Sequence, residues 1–104
     1  MNEVAGKDAT GAVVIAHATG LHARPAVKLT KLAKTFAARV ELARSTEGPW
    51  VDAKSVVKVM AAKVPQNAML HFRASGADAA AAVQALIGLV ERDFDDAAGD
   101  GEPA

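Results

Sequence analysis

Three segments of the chain favour strands: the first contains a run of β-branched residues, and the other two alternate apolar residues with polar or small ones, the two-residue period of strands that bury one face. These segments are Ala12–His17, Ala38–Arg44 and Asn67–Ala74. In the first segment Val13 and Ile15 share one face, and Val14 lies on the other. A brief apolar pair, Trp50–Val51, follows a turn-like run of polar residues, glycine and proline, and predicts a hairpin with the second segment. The pattern therefore predicts four strands.

Three further segments favour helices. The segment Ala23–Phe36 has apolar residues at helical spacing: Ala26, Leu29, Leu32, Ala33 and Phe36. Its outer face is basic, with Lys28, Lys31 and Lys34. Ser55–Ala62 is too short for a periodicity argument, but Ser55 is a good N-cap, and this favours a short helix over a strand. After Ser75–Asp78 a longer helix begins, and its apolar stripe is Val83, Leu86, Ile87, Val90 and Phe94.

The predicted element order is βαββαβα, an α+β arrangement in which each helix is apolar on one side. This order implies a four-stranded, mainly antiparallel sheet with helices packed on one face. Residues 1–10 and 95–104 lack periodicity, and the second stretch is acidic and rich in small residues. We therefore expect one domain over residues 11–94, between a flexible N-terminal tail and a flexible acidic C-terminal tail.

Charge balance and the absence of cysteine narrow the possible functions. The charges of twelve basic and twelve acidic residues cancel to a net charge of zero. The chain therefore lacks the net positive charge that is typical of proteins that bind nucleic acids or membranes. A sheet that binds RNA is further disfavoured because few aromatic residues are present. Without cysteine, disulfides, thiol catalysis and zinc-thiolate sites are excluded. No stretch reaches the roughly 18 apolar residues of a membrane span, and the first ten residues do not resemble a secretory signal. We expect a cytoplasmic monomer without membrane insertion.

One histidine occupies a chemically distinctive position. Thr19–Ala26 reads TGLHARPA, which places His22 at or beside the N-cap of the first helix, because Pro25 suits the first turn. A helix N-terminus presents backbone N–H groups and the positive end of the helix dipole, and together these form an anion site. Arg24 adds a planar cation with five donors, well suited to phosphate oxygens. The combination predicts a phosphoryl group on His22.

The rest of the sequence supplies no complete catalytic machinery. No metal-ligand cluster, serine–histidine–aspartate set or glycine-rich phosphate loop is visible. We therefore expect no cofactor and no metal, and a group carrier that depends on partner proteins for catalysis. An isolated histidine at a helix start is usually an ordinary polar residue, so the prediction depends on His22, Arg24 and Pro25 occurring together.

Two of these motifs resemble a known family. Gly20–Ala26 (GLHARPA) resembles the active-site segment of HPr, the phosphocarrier of the phosphoenolpyruvate-dependent sugar phosphotransferase system. Val51–Met60 is similar to the HPr segment that contains the regulatory serine, and Ser75–Asp78 also matches. The resemblance extends over about Ala12–Asp93 in one unbroken order. It implies an open-faced β-sandwich, which agrees with the predicted element order.

The resemblance also implies a reaction and its partners. His22 would accept a phosphoryl group on Nδ1 from phosphorylated enzyme I, and Arg24 would steady that group. The group would then pass to enzyme II A-type domains in sugar uptake. The chain would be a component of phosphotransfer and not a stand-alone catalyst. Two features depart from the family pattern: the hairpin loop Arg44–Trp50 is about two residues longer, and both tails extend past the usual ends. The acidic tail is compatible with a linker in a fusion protein.

A docking surface for these partners follows from the same resemblance. The apolar part would comprise Ala23, Val27, Val56, Val57 and Met60, and the basic part Arg24, Lys31, Lys34 and Lys58. The apolar members are equally compatible with core positions. Lysines on a helix face are usually only solvated, but here they would steer acidic partners and raise the association rate.

Two roles are open for Ser55. Its N-cap role explains it structurally, and the resemblance adds phosphorylation by an HPr kinase. A regulatory protein that signals carbon or nitrogen status through phosphorylated His22 or Ser55 is therefore the alternative function. His17 and His71 are assigned to strands as structural or surface residues, and Trp50 is expected to pack at the hairpin.

Overall fold

The computed structural model describes residues 8–95 of the chain. The elements are β1 (Asp8–Val14), α1 (Ala23–Ala33), β2 (Arg39–Ala43), β3 (Val51–Asp52), α2 (Val56–Ala61), β4 (Met69–Ser75) and α3 (Ala79–Glu91), followed by a short turn, Asp93–Asp95. This order confirms the predicted βαββαβα arrangement.

The strands form one antiparallel sheet in the order β1-β4-β2-β3. β4 pairs with β1 over its full length, from Asp8 opposite Ser75 to Val14 opposite Met69. The predicted hairpin is confirmed, because Leu42 of β2 pairs with Val51 of β3. β1 begins at Asp8, so residues 8–10, which the sequence assigned to the tail, belong to the sheet.

One face of the sheet forms the core. Val40, Leu42, Leu70 and Phe72 are fully buried there beneath the helices, together with Leu29 of α1. Burying a side chain of this size contributes roughly 1.5–3 kcal/mol. Residues between these positions, among them Arg39, Met69 and Arg73, are exposed on the opposite face. Helices on one face of an antiparallel sheet make this an open-faced α+β fold, as the sequence predicts.

The packing of α3 on β1 depends on Gly11. A Cβ atom at this position would lie 2.6 Å from Ile87 Cδ1 and 2.9 Å from Val83 Cγ1. The missing side chain therefore lets the helix approach the edge strand closely.

The chain leaves α3 earlier than the apolar stripe suggests. Val83, Leu86 and Val90 are buried, as predicted, but Phe94 is not part of the helix. The residues Asp93, Phe94 and Asp95 all have left-handed backbone angles, with φ of 58°, 60° and 55°. This turn, and not helical periodicity, directs the Phe94 side chain into the core, where it is fully buried.

The segment between α1 and β2 is held by two charged side chains. α1 ends at Ala33, three residues before the predicted end. The Asp78 carboxylate accepts hydrogen bonds from the backbone N–H groups of Ala37 at 2.9 Å and Ala38 at 2.8 Å. Lys54 Nζ donates to the carbonyl of Phe36 at 2.7 Å. The hydrogen bond from Ala37 is the main cause of the lowered pKa of Asp78.

Three smaller predictions can be compared with the structure. Ser55 is the N-cap of α2, as predicted, and its Oγ accepts a hydrogen bond from Lys58 N. Trp50 lies beside the hairpin, where the Arg73 guanidinium sits 4.2 Å from its ring centroid. The strand assignment is confirmed for His71 and wrong for His17, which follows β1 in a loop.

No helix within residues 8–95 has the length and apolarity to cross a bilayer.

Candidate functional site

His22 is the N-cap residue of α1. Its backbone is extended, with φ −99° and ψ −156°, and its side chain makes no capping hydrogen bond. The helix instead begins with the backbone bond from Ala26 N to the His22 carbonyl at 2.8 Å. The imidazole is exposed, and it is therefore accessible to a reaction partner instead of being used to cap the helix.

The turn before His22 is fixed against the chain after α2. Gly20 has φ +68°, and a Cβ atom there would lie 2.5 Å from the Val64 carbonyl oxygen. The next residue, Leu21, is buried, and its N–H donates to the same oxygen at 2.8 Å. Glycine is required here because other residues rarely adopt this φ and because the space is already filled. These contacts bring His22 close to α2.

The first turn of α1 has the electrostatic character that the sequence predicts. It consists of Ala23, Arg24 and Pro25, and it contains no acidic residue. Pro25 is buried and has no N–H to satisfy, whereas Ala23 and Arg24 are exposed. The backbone N–H groups of Ala23 and Arg24 have no carbonyl acceptor within the helix, whereas the N–H groups from Ala26 onward do. The positive end of the helix dipole thus lies beside the imidazole without a neighbouring carboxylate from this turn.

The structure brings part of the predicted docking surface together with His22. One groove of about 540 Å³ is lined by Thr19, Leu21, His22, Val57, Met60, Ala61, Lys63, Val64 and Pro65. Val57 is 73% exposed, so its side chain is not a core residue and is available to a partner. Val27, on the second turn of α1, is also exposed. Val56 and Met60 are partly buried, and both pack against the hydrophobic core.

The predicted lysines lie in other places. Lys58 lines a separate groove with Arg44 and Pro49. Lys31 lies with Leu32, Leu89 and Arg92 between α1 and α3. Lys34 is the C-cap of α1, roughly 16 Å along the helix from its first residue at a 1.5 Å rise per residue. None of these three lysines lines the His22 groove.

One cation in the groove was not anticipated. Lys63 is exposed, and its φ of 52° is in the left-handed region. It follows the C-cap of α2, where glycine commonly adopts this conformation. Its position beside His22 depends on how α2 packs against the Gly20 turn, so no local sequence pattern identifies it.

The remaining candidates occupy ordinary surroundings. Ser55 is half-buried; its Oγ accepts from Lys58 N at 3.3 Å, and its own N–H donates to the Asp52 carbonyl at 3.1 Å. His71 is on the open face of the sheet, where it pairs with Ala12 and Ala43. No group of histidine, aspartate and glutamate within residues 8–95 is arranged to hold a metal ion.

Comparison with known proteins relates the chain to phosphocarriers. Residues 9–92 match the family model described as the PTS HPr component phosphorylation site. The chain is 39% identical over 84 residues to the phosphocarrier protein NPr of Proteus mirabilis, which covers 81% of this chain and 92% of that protein. It is 44% identical over 73 residues to the multiphosphoryl transfer protein of Vibrio cholerae, covering 69% of this chain but only 18% of that longer protein.

The fold has a close match among solved structures. HPr-C-His from Thermoanaerobacter tengcongensis superimposes with a TM-score of 0.77 at 30% sequence identity. The match covers 92% of this chain and 99% of the other.

Proposed function

The chain belongs to the HPr family of phosphocarriers of the phosphotransferase system, and on this premise we propose that His22 is the residue that carries the phosphoryl group. The observation that supports this most directly is the exposed, non-capping imidazole at the N-terminus of α1. The donor is phosphorylated enzyme I, and the acceptors are enzyme II A-type domains. The exchange takes place in the cytoplasm with the chain as a monomer.

The transfer is a displacement at phosphorus. The unprotonated Nδ1 of a neutral His22 uses its lone pair to attack the phosphorus atom of the phosphorylated donor. A new N–P bond forms as the bond between phosphorus and the donor breaks, and that electron pair leaves with the donor. Nε2 of His22 keeps its proton, so the phosphorylated ring carries positive charge beside the dianionic group. Passage to the next protein reverses these steps.

The first turn of α1 would stabilise the transferred group. Its backbone N–H groups and the Arg24 guanidinium supply donors and positive charge for the phosphoryl oxygens. Interactions of this kind at an exposed helix end contribute about 0.3–1 kcal/mol each. The phosphoryl group is thus steadied but not trapped, as a carrier requires.

Partner binding would use the groove around His22. Val57 and Met60 supply apolar area, and Ala23 and Val27 extend it along α1. Lys63 adds a positive charge inside the groove, and Arg24 adds another on the first turn of α1. An acidic partner surface is complementary to this arrangement. Lys31, Lys34 and Lys58 lie outside the groove, so their contribution would be long-range steering that weakens as salt rises.

Phosphoryl capture by His22 can be tested directly. The protein is incubated with enzyme I and labelled phosphoenolpyruvate, and the labelled residue is identified by mass spectrometry. We expect an acid-labile, base-stable adduct on His22 and none in His22→Ala. His71→Ala is the matched control and should be labelled normally. Label on His17 or His71, or full labelling of His22→Ala, would contradict the proposal.

A regulatory role is the second candidate. The NPr name of the Proteus mirabilis relative supports it, and Ser55 is half-buried at the start of α2, next to exposed Val57. Adding HPr kinase and ATP distinguishes the regulatory role from the transport role. Phosphate on Ser55 supports regulation through this residue. Transfer of the His22 label to a sugar-specific A-type domain supports the transport role instead.

A further inference from the structure

The loop that carries His22 contains a second histidine with a specific hydrogen bond. His17 Nδ1 accepts from the backbone N–H of Thr19 at 3.2 Å and lies 3.0 Å from Thr19 Oγ1. The carbonyl oxygen of His17 accepts from Gly20 N–H at 2.9 Å. Side chain and backbone of His17 thus both close the turn that leads to His22.

This arrangement reproduces a turn usually made by asparagine or aspartate. In an Asx-turn the side-chain oxygen accepts from the backbone N–H two residues later. Imidazole Nδ1 is the same number of bonds from Cα as that oxygen, and here it takes the same partner. A backbone amide can only donate, so Nδ1 of His17 carries the lone pair and the neutral ring has its proton on Nε2.

The ring of His17 is held from its other side. It packs against Phe94, with a centroid distance of 5.8 Å and an interplanar angle of 78°. The Phe94 carbonyl oxygen in turn accepts from Lys28 Nζ of α1 at 3.0 Å. His17 therefore connects the turn before His22 to the left-handed turn after α3, and Lys28 ties the second of these turns to α1.

We propose that His17 is a positioning residue for phosphoryl acceptance: its Nδ1 closes the Thr19–Gly20 turn and thereby holds His22 in the orientation that meets the donor. This inference rests on the proposed role of His22. The side chain of His22 has no capping bond of its own, so its placement depends on the turn before it. Opening that turn lowers the fraction of molecules in the competent arrangement without removing a reacting group.

Two substitutions separate the acceptor atom from the ring. His17→Asn keeps an acceptor for the Thr19 N–H but loses the contact with Phe94. His17→Phe keeps the ring but has no acceptor. With phosphorylated enzyme I as donor, we expect His17→Phe to raise the KM for the carrier by up to about fivefold, because loss of one hydrogen bond changes the equilibrium constant between the closed and the open turn by about that factor. The kcat should be unchanged, and His17→Asn should stay within about twofold of wild type.

His71→Phe is the control for the substitution itself, because His71 lies on the open face of the sheet, and it should behave as wild type. Hydrogen exchange of the Thr19 amide gives a second readout that does not depend on phosphotransfer: we expect about fivefold faster exchange in His17→Phe and wild-type exchange in His17→Asn. A His17→Phe protein with wild-type KM, or a His17→Asn protein as impaired as His17→Phe, would overturn the proposal.

Failure of the proposed function gives a different result. In that case neither the wild-type protein nor any variant at position 17 is labelled on His22. The Thr19 exchange experiment still reports whether His17 closes the turn. Nitrogen chemical shifts of His17 complete the test: an unprotonated Nδ1 in the neutral ring supports the proposal, and a protonated Nδ1 refutes it.

Discussion

Replacement of Gly20 by alanine is expected to damage both the stability and the phosphoryl acceptance of the protein. An alanine at φ +68° pays a backbone penalty of about 1–2 kcal/mol. The new Cβ would also meet the Val64 carbonyl at 2.5 Å and Pro65 Cα at 2.9 Å, both backbone atoms. Their displacement weakens the hydrogen bond from Leu21 N–H, which contributes about 0.5–1.5 kcal/mol. Together these effects lower the free energy of unfolding by about 3 kcal/mol.

Urea denaturation of Gly20→Ala measures this loss, and Gly88→Ala is the matched control. Gly88 lies within α3, and a Cβ atom there would approach only Arg92 Nη1, at 3.2 Å on a flexible side chain. Alanine is favoured over glycine in a helix by about 1 kcal/mol, so this variant should be as stable as wild type or more so. The His22 labelling rate of Gly20→Ala should fall under conditions where the protein is still folded. If the free energy of unfolding of Gly20→Ala is within about 1 kcal/mol of the wild-type value, the left-handed turn does not hold the loop against Val64.

Three further substitutions test the site and its support. Arg24→Ala should keep its unfolding free energy within about 0.5 kcal/mol, since the side chain is exposed, but should accept phosphate more slowly; an unchanged rate at limiting protein concentration would exclude a role for Arg24. Ser55→Asp should stay within about 1 kcal/mol of wild-type stability, because the new charge lies at a helix N-terminus. Its labelling by enzyme I should fall, because a charge would lie beside the apolar groove, and Ser55→Ala is the control for the lost cap. The pKa of Asp78 is lowered in the folded protein, so its stabilising effect is full above its ordinary value of 3.8 and disappears as the pH falls through the lower folded value. Asp78→Asn should therefore be less stable at pH 7, and its deficit relative to wild type should shrink below about pH 4 in thermal unfolding curves; a constant deficit would contradict this.

The parts of the fold that follow local rules could be predicted from the sequence. The alternation around Val40 and Leu42 reports which face of β2 is buried, and the Ser55 N-cap marks the start of α2 through a single side-chain hydrogen bond. The position of His22 follows in the same way, because Pro25 fixes where α1 can begin. Each of these features depends on residues a few positions apart, and such interactions are visible in one sequence.

Features that depend on packing between distant elements could not be predicted. Lys58 shares a short helix with Val57, yet it faces another groove, and only the docking of α2 on the hairpin determines this. Phe94 fits a helical stripe by spacing, whereas the chain reaches the same burial through a left-handed turn. β1 was predicted to start too late, because an edge strand with one exposed face tolerates polar residues such as Asp8 and Thr10.

The order β1-β4-β2-β3 also governs how the protein can assemble. Among the strands within residues 8–95, β1 is synthesised first, yet its only partner in the sheet there is β4, so Asp8 cannot pair until Ser75 has been made. A growing chain that stops before β4 can form α1 and the β2–β3 hairpin, but no continuous sheet, because β4 also joins β2 to β1. Closing so long a loop is entropically costly and is compensated only when most of the chain is present. Folding is thus expected to be a single late event during translation, with the exposed β1 edge as the segment most open to wrong pairing until then.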